Sequence, residues 1–254
     1  MPNPKLPAIA RLDRLSALLQ AAAPRVELGT PDGKTNSLSI RLLVSQDASN
    51  PHSLVVAHAR CKEDFGAPAV ALQVHLDGPG APMLMHEFVQ PMVVPISGAD
   101  GGLALAVQLL CNELAAPRCG QSAMLASAGN MLFIGLLRHL VAHPQSRMGL
   151  FAGLGDPRIA AALVAMHEQP HTAWVLESLA ERAGMSRTAF ATRFKDSMGT
   201  SPGKYLTQLR LLIAQRAVQS GQGLKSAARA SGYKDVSALS RALGRARNHA
   251  EAGL

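Results

Sequence analysis

Along the chain the spacing of apolar positions changes twice, and each change marks a different kind of element. "ARLDRLSALLQAAA" places apolar residues at helical intervals and stops at Pro24, which predicts a short helix. From Val26 to Pro95, runs such as "LSIRLLV", "SLVVAHA", "AVALQVHL" and "FVQPMVVPI" alternate with the turn clusters "TPDGKTN", "DASNPH" and "DGPGAP". Short β-branched runs between turns predict several strands of an antiparallel sheet or partial barrel. After "SGADGG" the period becomes helical again. Leu103, Val107, Leu110 and Leu114 share one stripe of "LALAVQLLCNEL", and "AMLASAGNMLFIGLLRHLVA" reads as a longer, largely buried helix.

"HPQSRMGLFAGLGDP", rich in Gly and Pro, reads as a linker. A boundary near Gly149 divides the chain into domains 1–148 and 149–254. In "DPRIAAALVAMHEQP", Asp156 is a cap, Pro157 sits at the first helical position, and the helix stops before Pro170. Further helices follow in "TAWVLESLAERAG", "SRTAFATRFKDSMG", "SPGKYLTQLRLLIAQRAVQSG", "LKSAARASGY" and "DVSALSRALGRA", with no strand among them. The expected fold class is α+β: a small sheet domain with a helical tail, then an all-α domain.

Charge sharpens this division. The formal charge is +8, but residues 1–150 carry 11 Lys/Arg against 10 Asp/Glu, and residues 151–254 carry 14 against 7. The excess therefore lies in the helical part, as expected where a chain meets a polyanion. The three cysteines, Cys61, Cys111 and Cys119, have no CxxC spacing and read as reduced thiols. No run approaches the roughly 18 consecutive apolar residues of a membrane span. "MPNPKLPAIARLDRL" lacks the pattern of a signal peptide, so the expected location is cytoplasmic, with no membrane partner.

Within the basic part, "LESLAERAGMSRTAFATRF" has the grammar of two helices around a tight turn. Leu176, Leu179, Ala180 and Ala183 face inward, Gly184 supplies the turn, Met185 fills the space between the helices, and Ser186 caps the second helix. Phe190 and Phe194 lie one turn apart and point inward; Arg187, Thr188, Ala191 and Thr192 face outward. Two packed helices of an ordinary bundle would have the same pattern. "LKSAARASGYKDVSALSRAL" repeats it, with Ala227, Ala228 and Ala230 inside, Gly232 and Tyr233 at the turn, and Leu239 and Leu243 in place of the aromatic pair. Here Val236, Ser237, Ser240 and Arg241 face outward. One long helix between the units could hold two reading helices about 34 Å apart, one turn of duplex DNA.

These residues resemble the AraC/XylS-type bacterial transcriptional regulators, closely over 150–243 and especially in "GMSRTAF" and "SPGKYLTQLRL". Residues 95–143 are similar to the helical tail of the cupin-type N-terminal domain found in one subgroup, and the sheet before residue 95 reads as a shortened version of that domain. The resemblance implies a dimeric or dimerisable activator of promoters, controlled by a small-molecule effector or redox signal, with RNA polymerase as a further partner. Carried over by position, base contacts fall on Arg187, Thr188, Ala191 and Thr192, and on Val236, Ser237, Ser240 and Arg241. Arg193, Lys195, Lys204 and Lys234 would meet phosphates, which position the protein without reading sequence. Thr192 stands where the family often has Arg, which weakens base reading by the first helix. "GRARNHAEAGL" replaces the family's usual final segment.

Two other readings remain open at this level. One is a degenerate regulator that acts mainly by dimerising with a relative. The other is a cupin-type metal-dependent enzyme with a basic tail. The sequence has no P-loop, GxSxG elbow or HExxH helix to support catalysis. His52, His58, His75 and His86 are scattered over different predicted strands, so no metal site, cofactor or catalytic residue is expected.

Overall fold

The computed structural model describes residues 13–29, 37–44, 51–66, 68, 70–97 and 101–252. The predicted turn at 30–36, most of that at 47–52 and part of "SGADGG" lie outside them. In chain order the elements begin with α1 (Ser16–Ala22), β1 (Pro24–Leu28), β2 (Ser37–Val44), β3 (Pro51–His58) and β4 (Val70–Leu76). Then come α2 (Ala81–His86), β5 (Met92–Pro95), α3 (Gly101–Ala115) and α4 (Gln121–Ala142). The remainder is helical: α5 (Leu150–Gly155), α6 (Pro157–Glu168), α7 (Leu176–Arg182), α8 (Arg187–Met198), α9 (Pro202–Gln219), α10 (Leu224–Ser231) and α11 (Val236–Ala252). The fold class is α+β.

The described residues form two compact units, one lying within 22–145 and one made of 13–21 with 146–252. Helix α1, which precedes the sheet in sequence, thus belongs to the helical unit except for its last residue, Ala22.

Among the described residues of the sheet unit, five antiparallel strands are ordered β1-β4-β2-β3-β5. Pairing of Ile40 with both Val56 and Leu72 puts Leu38, Ile40, Leu42, Leu54, Leu72 and Val74 on one face, all fully buried. Each such side chain contributes about 1.5–3 kcal/mol relative to exposure. Helix α4 covers β1 at close range: a Cβ on Gly129 would come within 2.9 Å of Val26 Cγ1. The other face carries Ser37, Ser39, Ser53, Gln73 and His75, and these too are buried. Gln73 Nε2 donates to Ser37 Oγ at 3.4 Å.

Helices α3 and α4 pack side by side, and the turn between them is closed by buried Glu113. Its carboxylate accepts from Arg118 Nη2 at 2.8 Å and its carbonyl from Gln121 Nε2 at 2.7 Å. Among the described residues α4 alone has the length and apolarity of a membrane span, but half of that stretch is buried against its own unit.

Two expectations need correction. The cluster "DGPGAP" does not only turn the chain; it starts α2, with Pro82 in the first turn, because Leu84 and Met85 find a buried face. The segment read as a linker contains α5, where Leu150, Phe151 and Leu154 are buried. Its Gly and Pro content hid a helix of six residues that exists only through packing.

Gly135 lets α4 approach α3 so closely that a Cβ would lie 3.1 Å from Leu103 Cα. Because the obstructing atoms are backbone, Gly135→Val should destabilise the protein by about 1–3 kcal/mol. The change is to be read as a lowered midpoint in thermal unfolding followed by circular dichroism.

Candidate nucleic-acid interface

The turn between α7 and α8 is built as its residues dictate. Gly184 adopts φ +62°, a conformation that other residues rarely hold, and the Met185 N–H donates back to Ala180 O at 2.9 Å. Ser186 caps α8 by accepting from the Ala189 N–H at 3.3 Å. Phe190 and Phe194 are fully buried with ring centroids 5.6 Å apart, and Tyr205 of α9 meets Phe194 edge-on at 5.8 Å. The opposite face leaves Arg187, Thr188 and Thr192 exposed, with Ala191 half-buried beside them.

The second unit repeats the geometry on a thinner core. Gly232 ends α10 at φ +75°, and the Tyr233 N–H returns to Ala228 O at 2.9 Å. Asp235 precedes α11 and accepts from the Ala238 N–H at 2.7 Å. Leu239 is fully buried against Ala214, Ala217, Ala227 and Ala228, with Tyr233 and Leu243 at the margin. Ser237, Ser240 and Arg241 are exposed and Val236 is half-buried. Two inward assignments fail: Leu176 is exposed at the start of α7, and Ala230 is exposed while Ser231 takes the buried position. The Ser231 hydroxyl is accommodated there by donating to Ala227 O at 2.6 Å.

Lys195, Lys204 and Lys234 are all exposed. Arg193 is exposed as well, but its guanidinium is engaged by the carboxylate of Asp156, which also caps α6 by accepting from the Arg158 N–H at 3.0 Å. Burial raises the Asp156 pKa, but the hydrogen bonds from Arg193 and Arg158 and the guanidinium charge outweigh it. The carboxyl is held below its ordinary value. By spacing alone Asp156 is a cap and Arg193 a phosphate contact; nothing in a separation of 37 residues links the two.

Beneath α8 lies a polar contact that the sequence did not disclose. Tyr205 Oη and His167 Nε2 are 2.8 Å apart, and His167 borders a small apolar hollow lined by Ala17, Leu18, Leu150 and Leu163. Burial pushes the His167 pKa down to about 4. The loop before α7 is held by Trp174, whose Nε1–H donates to Gln169 O at 2.9 Å and whose ring receives the Arg182 guanidinium at 5.7 Å.

Comparison with known proteins fits this geometry. Residues 179–249 match a helix-turn-helix domain family and residues 30–142 a cupin family. An AraC-like transcription regulator of Streptomyces lividans is 39% identical over 112 residues, 43% of this chain and 37% of its own length. An HTH-type transcriptional regulator of Haemophilus influenzae is 34% identical over 145 residues, 57% of this chain and 49% of its own. The RCS-specific HTH-type transcriptional activator RclR of Escherichia coli is 36% identical over 109 residues, 43% and 38%. The chain thus spans half or less of the length of these relatives. Among solved structures, ToxT from Vibrio cholerae covers 87% of this chain and 91% of its own at 9% identity, with a TM-score of 0.38.

The low pKa of His167 has a consequence for stability. The unfolded state binds its proton near pH 6.5 and the folded state only near pH 4. The contribution is therefore complete above pH 6.5 and is lost as pH falls toward 4, by on the order of 3 kcal/mol in total. Denaturant midpoints measured across that range should decline less steeply for His167→Gln than for the wild type.

Proposed function

The chain belongs to the AraC-type transcription regulators that carry a cupin domain ahead of the helix-turn-helix domain, and from that premise we propose that it binds specific sites in double-stranded DNA. Helix α8 enters one major groove and α11 the next, on one face of the duplex. The observation that carries this reading is the matched pair of left-handed glycine turns, Gly184 and Gly232. Each presents a helix with an exposed face in a part of the chain where 14 Lys/Arg oppose 7 Asp/Glu.

The two helices contribute unequally. An Arg in the groove can donate two hydrogen bonds to guanine, worth about 1–3 kcal/mol of discrimination. Arg241 on α11 and Arg187 at the first position of α8 have that capacity; Thr188, Ala191 and Thr192 do not. Helix α8 therefore fits the groove largely by shape and phosphate contact. Lys195, Lys204 and Lys234 place the protein on the backbone, and Arg193 does so only in competition with Asp156. The protein acts as an activator and a homodimer that touches RNA polymerase, and its cupin domain receives a small-molecule or redox signal. These finer points rest on the family resemblance.

Selection from a randomised duplex pool should enrich two short motifs about one helical turn apart. Arg241→Ala should then cost about 1–3 kcal/mol and relax preference at one position, whereas Lys195→Ala should weaken all sites alike. A pool that emerges without enriched sequence would refute specific reading.

A further inference from the structure

The principal contacts of α7 are with α6 and α8, whereas those of α10 and α11 are with each other and with α9. Helix α9 therefore joins two separate packing groups, and a single helix seldom fixes the angle between its two ends by itself. A second tie exists, and it is centred on Arg210 in the middle of α9. Its Nε–H donates to Pro170 O at 2.7 Å and its Nη2–H to Thr172 O at 2.6 Å. Both carbonyls belong to the loop between α6 and α7, on the side of the first reading unit. The same loop is the surface on which the second unit's turn rests. A Cβ on Gly232 would lie 2.7 Å from His171 Cα, 3.0 Å from Pro170 O and 3.1 Å from Arg210 Nε.

Gly232 is thus required twice, once by its φ of +75° and once by the closeness of that loop. The Pro170 carbonyl is the shared element: it accepts from Arg210 and abuts Gly232. Two parallel N–H donors in a rigid plane hold the loop in one orientation, which a flexible ammonium does not. The guanidinium is half-buried, so water competes poorly for these bonds.

We propose that Arg210 is a positioning residue that fixes the angle between α8 and α11 and so makes the protein specific for the spacing between the two DNA segments it reads. The proposal rests on the DNA-reading function of the preceding subsection. Arg210 itself touches no base; it acts through the Pro170–Thr172 loop and the Gly232 turn.

Two measurements on the full chain test it. In the first, duplexes carrying the selected motifs at their natural spacing, and with one or two base pairs inserted or removed between them, are titrated with wild type, Arg210→Gln and Arg210→Lys. Wild-type affinity should fall roughly tenfold or more on a one-base-pair change, whereas both variants should lose less than about threefold across the series while binding the natural spacing more weakly. A variant that keeps the steep wild-type profile, however weakly it binds, overturns the proposal, since a merely structural loss would lower every spacing alike.

The second needs no DNA. Nitroxides on Thr192→Cys and Ser240→Cys, with Cys61, Cys111 and Cys119 replaced by Ser, report the distance between the reading helices by pulsed electron resonance. A narrow distribution in the parent that broadens in Arg210→Lys supports the tie; equal widths refute it. Failure of the wild type to select any DNA removes the function but leaves this distance measurement decisive for the tie.

Discussion

A helix of twelve residues does not persist in water by itself, so α8 keeps its shape because Phe190 and Phe194 have somewhere to go. That burial is the constraint on which the first helix-turn-helix unit depends. It fixes the rotation of α8 about its axis, which decides that Arg187, Thr188 and Thr192 face outward. The rings meet each other, and Phe194 also meets Tyr205 from later in the chain, which in turn meets His167 from earlier in it. The outward face of α8 is thus set by its packing against α5, α6, α7 and α9.

The second unit solves the same problem with less material. Alanines and one buried leucine replace the ring pair, so less apolar area is removed from water per residue. What that core lacks in bulk it gains in attachment, since its turn rests on the Pro170–Thr172 loop and α9 runs beneath it. The two units look like repeats in sequence, yet one is packed around a pair of aromatic rings and the other around alanines and a single buried leucine.

That contrast explains what could be read from the residues alone. The strands, the long helices and both turns were legible because hydrophobic period and left-handed glycines are local signals. Phe190, Phe194 and Leu239 were placed correctly for the same reason. The misplaced residues lie at helix ends or in short helices. Leu176 begins α7, Ala230 nears the end of α10, and α5 was hidden in a Gly-rich segment. At such positions small changes in helix phase decide burial, and only the partner surface fixes that phase. The polar contacts Asp156–Arg193, His167–Tyr205 and Arg210 with its two carbonyls span about forty residues each, and no periodicity encodes them.

Of these, the pairing of Arg193 with Asp156 bears on how ions take part in binding. An exposed cation that meets a DNA phosphate normally displaces a condensed counterion, and that release is what makes affinity depend on salt. Arg193 already carries its counterion as a fixed carboxylate on α6. A phosphate reaching it would exchange one anion for another and leave Asp156 without its partner. On the proposed DNA-reading surface the number of basic residues therefore overstates the number of ions that binding would set free.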